Sequence, residues 1–321
     1  QYDFDAALDA YGKVGADAMG IVLSYAGGGL RPESGELRTD KLNRVVSVNT
    51  PPSGVPAKAV VGVIGAGNFT SQVIVPALKK TSARLKSISS GTGVSGSHLA
   101  KKFGFENSTT DNDTIFNDPE INTIFITTRH ANHGALVLRA LEAGKHVFVE
   151  KPLAIHRPEV EAIEAFFVDQ QSAISDSPSA APLLMVGFNR RFSPLVQQMK
   201  QLTANRSQPL AMIYNVNAGM IPRDHWSQTR DQGGGRILGE ACHFVDTLRY
   251  LAGAPISKST TSFARQGGVA IDDIVSIHLE FEDGSIGTVH YFANGNKALE
   301  RENLDLYSGE GILRMNNFRT L

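Results

Sequence analysis

The stretch AVVGVIGAGNFTSQVIVPALKK, residues 59–80, constrains the fold more than any other part of the chain. An unbroken apolar run ends at Gly65, a second glycine follows at Gly67, and a helical pattern begins at once. Such a run reads as a strand buried on both faces, feeding directly into a covering helix. The rhythm then repeats: RLKSISS and SGSHLAKKFGF, NTIFITT and GALVLRALEAG, and finally HVFVEKPL. Apolar strands alternating with helices predict an α/β doubly wound parallel sheet, the Rossmann arrangement, over residues 58–181.

The texture changes beyond Pro182. LLMVGFNRRF reads as a strand, PLVQQMKQL and VDTLRYLAG as helices, and the rest is strand-like, in four runs that contain EDGS and GEG turns. Helices ahead of hairpin-connected strands predict an α+β domain over 182–321 with a large open, mostly antiparallel sheet. Ahead of the Rossmann segment, Phe4 to Tyr11 has helical spacing and GIVLSY (20–25) reads as a strand. Residues 28–57 are rich in Gly, Pro and charge and read as a linker, with at most a short strand at Val45–Val48.

With 321 residues, 41% of them apolar, and a net charge of −1, the chain suits two domains. The charge balance gives no electrostatic reason to bind nucleic acid or a membrane surface. Its single cysteine, Cys242, excludes a disulfide framework and a cysteine-rich zinc site, and suggests a cytoplasmic setting. No apolar run approaches the ~20 residues of a membrane span. The N-terminus lacks both an initiator Met and signal-peptide character, and the chain stops in strand-like sequence, so an excised piece of a longer protein is expected.

The glycines carry the first chemical signal. Gly65 permits a tight turn, and Gly67 lets the backbone approach a pyrophosphate at a helix N-terminus. The expected ligand is a dinucleotide, NAD or NADP, with Asn68 and Phe69 completing the loop. Thr70 stands where a third glycine is usual. The second strand ends Ser89-Ser90 rather than in an acid that would hold ribose hydroxyls. The missing carboxylate leaves room for a 2′-phosphate but supplies no cation for it, which leans slightly toward NADP.

The segments GAGNF, TTRHANH, AGKHVFVEKPLA, GFNRRFSP and GGGRILGEACHFVDTLRYL together resemble the glucose–fructose oxidoreductase / inositol dehydrogenase / rhizopine-catabolism (Gfo/Idh/MocA) family over about residues 58–321. The resemblance implies an NAD(P)-dependent dehydrogenase acting on a sugar or polyol hydroxyl, including nucleotide-linked or cell-surface polysaccharide sugars, and a homo-oligomer formed through the open sheet. It implies Lys151 between nicotinamide and substrate, Glu150 at the cofactor, and Thr127, Thr128 and His133 along the nicotinamide side. Arg190 and Arg191 would border the substrate pocket, and His243 would be the family histidine. The family pattern has Asp four residues before that histidine; here the position is Gly239, followed by Glu240. Either Glu240 substitutes from a shifted position or the carboxylate role is absent. Residues 3–25 look like the last helix and strand of a zinc-alcohol-dehydrogenase-like domain, making 1–27 the remnant of a preceding domain. Two other outcomes fit the same scaffold: NAD-dependent glycoside cleavage without net redox change, and a cofactor-binding module without chemistry.

On a regular helix from Leu238, the stripe Phe244, Val245, Leu248 and Leu251 would be buried, with Glu240 and His243 sharing another face. That pairing would raise the imidazole's affinity for a proton. The structural alternative is a capping histidine bonded to backbone. Cys242 and His243 point ~100° apart and cannot form a thiolate–imidazole pair. One Cys and one His leave too few ligands for zinc, so no metal is expected. The catalytic candidates are Lys151, His243 and Glu240.

Overall fold

The computed structural model describes residues 2–3, 23–24, 44–50, 59–173, 181–222 and 224–321. The helix expected at Phe4–Tyr11 lies outside these residues. The described residues fall into two units, one before Arg44 and one from Arg44 onward. In the first, β1 (Tyr2–Asp3) pairs in parallel with β2 (Leu23–Ser24), where the strand GIVLSY was expected.

The second unit contains a seven-stranded sheet. Its strands are β3 (Val45–Ser47), β4 (Val60–Ile64), β5 (Arg84–Ser89), β6 (Asn107–Thr109), β7 (Thr123–Ile126), β8 (His146–Val149) and β9 (Leu184–Val186), in the order β3-β6-β5-β4-β7-β8-β9. All neighbours are parallel except β3, which runs antiparallel to β6. Every residue of β4 is buried, because helices cover both faces. The chain winds outward from β4 in both directions, so the crevice beyond the β4 and β7 strand ends is the topological switch point where ligands bind.

Two segments fall differently from the sequence reading. Val45–Ser47, read as part of a linker, is an edge strand of this sheet. Leu184–Val186, read as the start of the second domain, is its last parallel strand. Strand type was legible at both places; sheet membership depends on pairing partners distant in sequence.

The second sheet comprises β10 (Ala211–Asn217), β11 (Ile256–Gln266), β12 (Val269–Phe281), β13 (Ile286–Phe292), β14 (Glu302–Ser308) and β15 (Gly311–Asn316), ordered β11-β12-β13-β10-β14-β15. Only β10 and β13 pair in parallel. Alternate residues Met212, Tyr214 and Val216 of β10 face a core closed by the helices Pro194–Leu202 and Cys242–Ala252. Pro194 and the Ser193 cap, whose hydroxyl accepts from Val196 N, start the first helix. Gly253, at φ 76, ends the second through Gly253 N donating to Arg249 O. Phe244, Leu248 and Leu251 are fully buried and Val245 half-buried, each full burial contributing about 1.5–3 kcal/mol. That packing fixes how the helix presents its first turn.

Candidate active site

Beyond the β4 and β7 strand ends lies a cavity of about 810 Å³. It is lined by the loop Gly65 to Thr70, by Thr127, Thr128, Arg129, His130 and His133, by Glu150 and Lys151, and by Asn189, Trp226 and His243. The first part of this lining follows from the strand ends. Gly65 has φ +110, and a Cβ there would meet the Thr127 backbone at 2.8 Å, so only glycine fits. A Cβ on Gly67 would meet nothing within 4 Å, which leaves its backbone open to a ligand. Thr70, in the usual place of the third glycine, is buried; its hydroxyl donates to Thr127 Oγ1 at 2.8 Å, and that hydroxyl in turn to Gly65 O at 3.0 Å. The substitution thus braces the loop. A π turn, Thr70–Ile74, opens the helix that continues through Val75–Leu78. An elongated diphosphate-linked ligand fits this cradle: open backbone at Gly67, a helix start beside it, and room beyond.

Ser89 and Ser90 do not line the cavity. Ser89 Oγ donates to Asn112 Oδ1 at 2.5 Å, and Ser90 Oγ accepts from Gly96 N at 3.0 Å. Ser90 is consumed in joining β5 to the next helix, and Ser89 in joining it to the turn after β6.

At the end of β8, burial pushes the Glu150 carboxyl above its usual range, against the pull of the Lys151 charge. Lys151 Nζ donates to Gly239 O at 2.8 Å. His133 is fully buried, its Nδ1 2.7 Å from the Pro152 carbonyl oxygen and its Nε2 3.0 Å from that of Thr128. It ties the loop after Lys151 to the end of β7, and burial holds its pKa down.

The helix carrying His243 does not begin as a regular helix. Ile237–Ala241 is a π turn, and the α-helical part runs Cys242–Ala252. The wider i→i+5 turn rotates Glu240 off the face that regular spacing assigns to it. Glu240 accepts instead from Arg236, from Tyr291 OH at 2.8 Å and from Arg301 at 3.1 Å. Burial works against its charge, but these donors outweigh it and hold the carboxyl below its usual range. The expected Glu240–His243 pair is therefore absent. His243 is pushed down to about 2, first by burial and then by the charges of Arg190, Lys151 and Arg301. Its Nδ1 is buried without a partner, so it caps no backbone group through that atom. The ring packs edge-on to Phe188, 6.0 Å between centroids.

Arg190 and Arg191 also fall elsewhere than expected. Arg190 grips Glu302 with two hydrogen bonds, at 2.8 and 2.6 Å, and lies over Phe244. Arg191 pairs with Asp246. Neither lines the cavity; the neighbouring Asn189 does. Cys242 is half-buried by exposure, and desolvation pushes its thiol up to about 11, which makes it inert. Arg129, His130, Asn189 and Trp226 were given no role from the sequence: the first three fall inside TTRHANH and GFNRRFSP, but no spacing singles them out there. Trp226 in particular sits in the irregular segment DHWSQ and reaches the cavity only through the fold. Among the described residues no group of three His, Cys, Asp or Glu side chains is placed to hold a metal, and no helix is long and apolar enough to cross a membrane.

A doubly wound sheet with a glycine-cradled crevice, closed by a sheet domain that contributes an imidazole, defines a two-domain dinucleotide-binding protein. Residues 59–175 match the oxidoreductase family with an NAD-binding Rossmann fold, and residues 203–314 match the GFO/IDH/MocA C-terminal domain. The chain belongs to the Gfo/Idh/MocA family. It is 28% identical over 247 residues to levoglucosan dehydrogenase of Pseudarthrobacter phenanthrenivorans, covering 68% of this chain and 61% of that protein. It is 28% identical over 210 residues to scyllo-inositol 2-dehydrogenase (NAD(+)) of Bacillus subtilis, covering 60% of this chain and 54% of that one. The chain thus spans little more than half of these relatives' lengths. A solved levoglucosan dehydrogenase in complex with NADH and levoglucosan superposes with a TM-score of 0.67 at 26% identity, covering 81% of this chain and 74% of the other.

Proposed function

We propose that the chain transfers a hydride between a nicotinamide cofactor and a hydroxyl-bearing carbon of a sugar or polyol. One observation carries this reading: Lys151 and His243, from different domains, line the same cavity as the glycine loop of the NAD-binding domain. Relatives that act on levoglucosan and scyllo-inositol support the substrate class. When bound, the nicotinamide supplies the hydride acceptor or donor. Lys151 uses one of its three N–H groups on Gly239 O, which leaves two to steady the oxygen that gains negative charge. His243, held neutral by burial and neighbouring cations, contributes an uncharged polar wall rather than a proton donor at neutral pH, and the hydroxyl proton is exchanged with solvent in the cavity as the hydride moves. His133 positions the Lys151 loop, and Asn189 and Trp226 face the substrate. Glu240 organises the second domain through Arg236, Tyr291 and Arg301 and takes no part in proton transfer.

Both NAD and NADP are accepted in this reading, because Ser89 and Ser90 are engaged internally and offer neither a carboxylate nor a cation. The test is a panel of levoglucosan, myo-inositol, scyllo-inositol and D-xylose with each cofactor. Net accumulation of reduced nicotinamide supports a dehydrogenase; glycoside cleavage without it supports the alternative chemistry on this scaffold.

Three finer points belong to the same reading. A homo-oligomer through the second sheet is supported by exposed Ile213, Phe263, Phe292 and Tyr307, and is tested by light scattering. Membership of residues 1–27 in a zinc-alcohol-dehydrogenase-like domain is supported by their sequence. A cytoplasmic setting is supported by the single cysteine.

A further inference from the structure

His130 follows β7 and lines the cavity, yet neither the glycine motif nor the helix carrying His243 includes it. Its Nδ1 lies 2.8 Å from the Gly233 carbonyl oxygen. A carbonyl only accepts, so Nδ1 carries the hydrogen and a neutral ring keeps its lone pair on Nε2. Burial, helped by the Lys151 charge, holds the ring's pKa down to about 4, which keeps it neutral near pH 7. Nε2 is not among the buried nitrogens left without a partner, no hydrogen bond from the described residues reaches it, and the residue lines the cavity.

The ring plane is fixed from several sides. Trp226 packs edge-on with centroids 4.8 Å apart, and His133 lies 5.8 Å away. On another side is Gly239, where a Cβ would come within 2.9 Å of His130 Cε1. The imidazole therefore fills the space a side chain at 239 would need. The same residue that lends its carbonyl to Lys151 leaves room for His130. Its ring contacts are with Trp226, Gly233 and Gly239 of the second domain and with His133, not with the glycine loop.

We propose that His130 is a specificity-determining residue whose Nε2 accepts a hydrogen bond from one ring hydroxyl of the polyol substrate. The inference rests on the cavity's reading as a polyol dehydrogenase site. The chemistry is restrictive: a lone pair in a half-dry pocket welcomes a hydroxyl and rejects a keto or carboxylate oxygen at the same place. A ribose hydroxyl of the cofactor has the same chemistry, so the experiment must separate the two sources.

Trp226 is the only tryptophan of the chain and lies against His130, so its fluorescence reports NADH binding and then polyol binding to the NADH complex. The comparison is between wild type and His130→Phe, which keeps a ring against Trp226 but removes both nitrogens. It uses the polyol of the panel that binds best and that polyol's mono-deoxy analogues. The expected result is an NADH affinity within about twofold of wild type and polyol binding weakened by about tenfold. One deoxy analogue should bind both proteins equally, because it lacks the hydroxyl that His130 reads. Equal weakening of NADH with unchanged polyol binding would move the hydrogen bond to the cofactor ribose and overturn the assignment. Weakening that persists with every deoxy analogue would reduce His130 to packing. Where His130→Phe fails to fold, His130→Asn replaces it, since its amide nitrogen still donates toward Gly233 O. A wild-type protein that binds neither NADH nor any polyol would instead defeat the proposed function itself.

Discussion

Lys151 Nζ donates to the carbonyl oxygen of Gly239 at 2.8 Å, joining the end of β8 to the π turn that opens the His243 helix. A backbone acceptor thus holds the ammonium where the family pattern has a carboxylate side chain. The lysine is anchored without losing its charge to an ion pair, and two of its N–H groups stay free for a substrate oxygen. Lys151→Ala is expected to lower turnover by about a hundredfold or more while leaving dinucleotide affinity nearly unchanged. Steady-state kinetics beside a cofactor titration checks this. Unchanged turnover with a raised KM would make Lys151 a binding residue only.

The two glycines of the loop should separate folding from binding. Gly65→Ala forces a Cβ to within 2.8 Å of the Thr127 backbone at a φ of +110. It is expected to lose about 1–3 kcal/mol or more of stability. Gly67→Ala meets nothing within 4 Å and should leave Tm unchanged, yet weaken NADH binding by blocking the approach of the diphosphate. Calorimetry and fluorescence titration on the pair measure this, and a destabilised Gly67→Ala with normal NADH binding would contradict the cradle.

The arginines of NRRF belong to the second domain's framework. Arg190 neutralises Glu302, which is 4% exposed and also accepts from Tyr214 OH at 2.9 Å. Arg190→Ala strands that carboxylate and is expected to destabilise by about 3–5 kcal/mol. Arg191→Ala, with a more exposed guanidinium, should cost less. A loss of substrate affinity without a loss of Tm would return these residues to the pocket.

Much of the site was legible because strand ends are. Gly65, Gly67, Asn68, Phe69, Thr127, Thr128, His133, Glu150 and Lys151 all line the cavity, since each follows a parallel strand at its C-terminal end. Ser89 also ends a strand but spends its hydroxyl on Asn112, a contact that only the fold creates. Glu240 illustrates a different loss. Its spacing to His243 suits a regular helix, whereas the π turn over Ile237–Ala241 changes the angle and delivers it to Arg236 and Tyr291. The place of His130 and Trp226 in the cavity depends, like the sheet membership of β3 and β9, on partners far away in sequence.

Cofactor choice follows from Ser89 and Ser90. With neither a carboxylate on the ribose nor a cation for a 2′-phosphate, discrimination should stay under ~2 kcal/mol, about thirtyfold in affinity. Titration of NADH and NADPH measures it; a preference for NADH above about a hundredfold would contradict it.

The buried imidazoles predict acid sensitivity. His243 (about 2) and His130 (about 4) both lie below the ordinary 6.5, so across that interval the unfolded chain binds more protons than the folded one. Stability then rises with pH through this window: it is fully present above about 6.5 and lost progressively on acidification toward 4 and below. His243→Asn should flatten the fall of Tm between about pH 4 and 6.5. An unchanged slope would mean that His243 is not held neutral. Because Glu240 pairs with Arg236, Tyr291 and Arg301, Glu240→Gln should leave the pH–rate profile in place and lower Tm instead.

The most direct measurement of the central claim follows reduced nicotinamide by absorbance, with NAD and then NADP, over the polyol panel, for wild type and for Lys151→Ala. Each protein is first shown to bind NADH through quenching of Trp226. Wild type is expected to accumulate reduced cofactor with at least one polyol, and Lys151→Ala to bind NADH equally while accumulating about a hundredfold less or none. No reduced cofactor with any polyol in wild type, or equal accumulation in both proteins, would contradict the account.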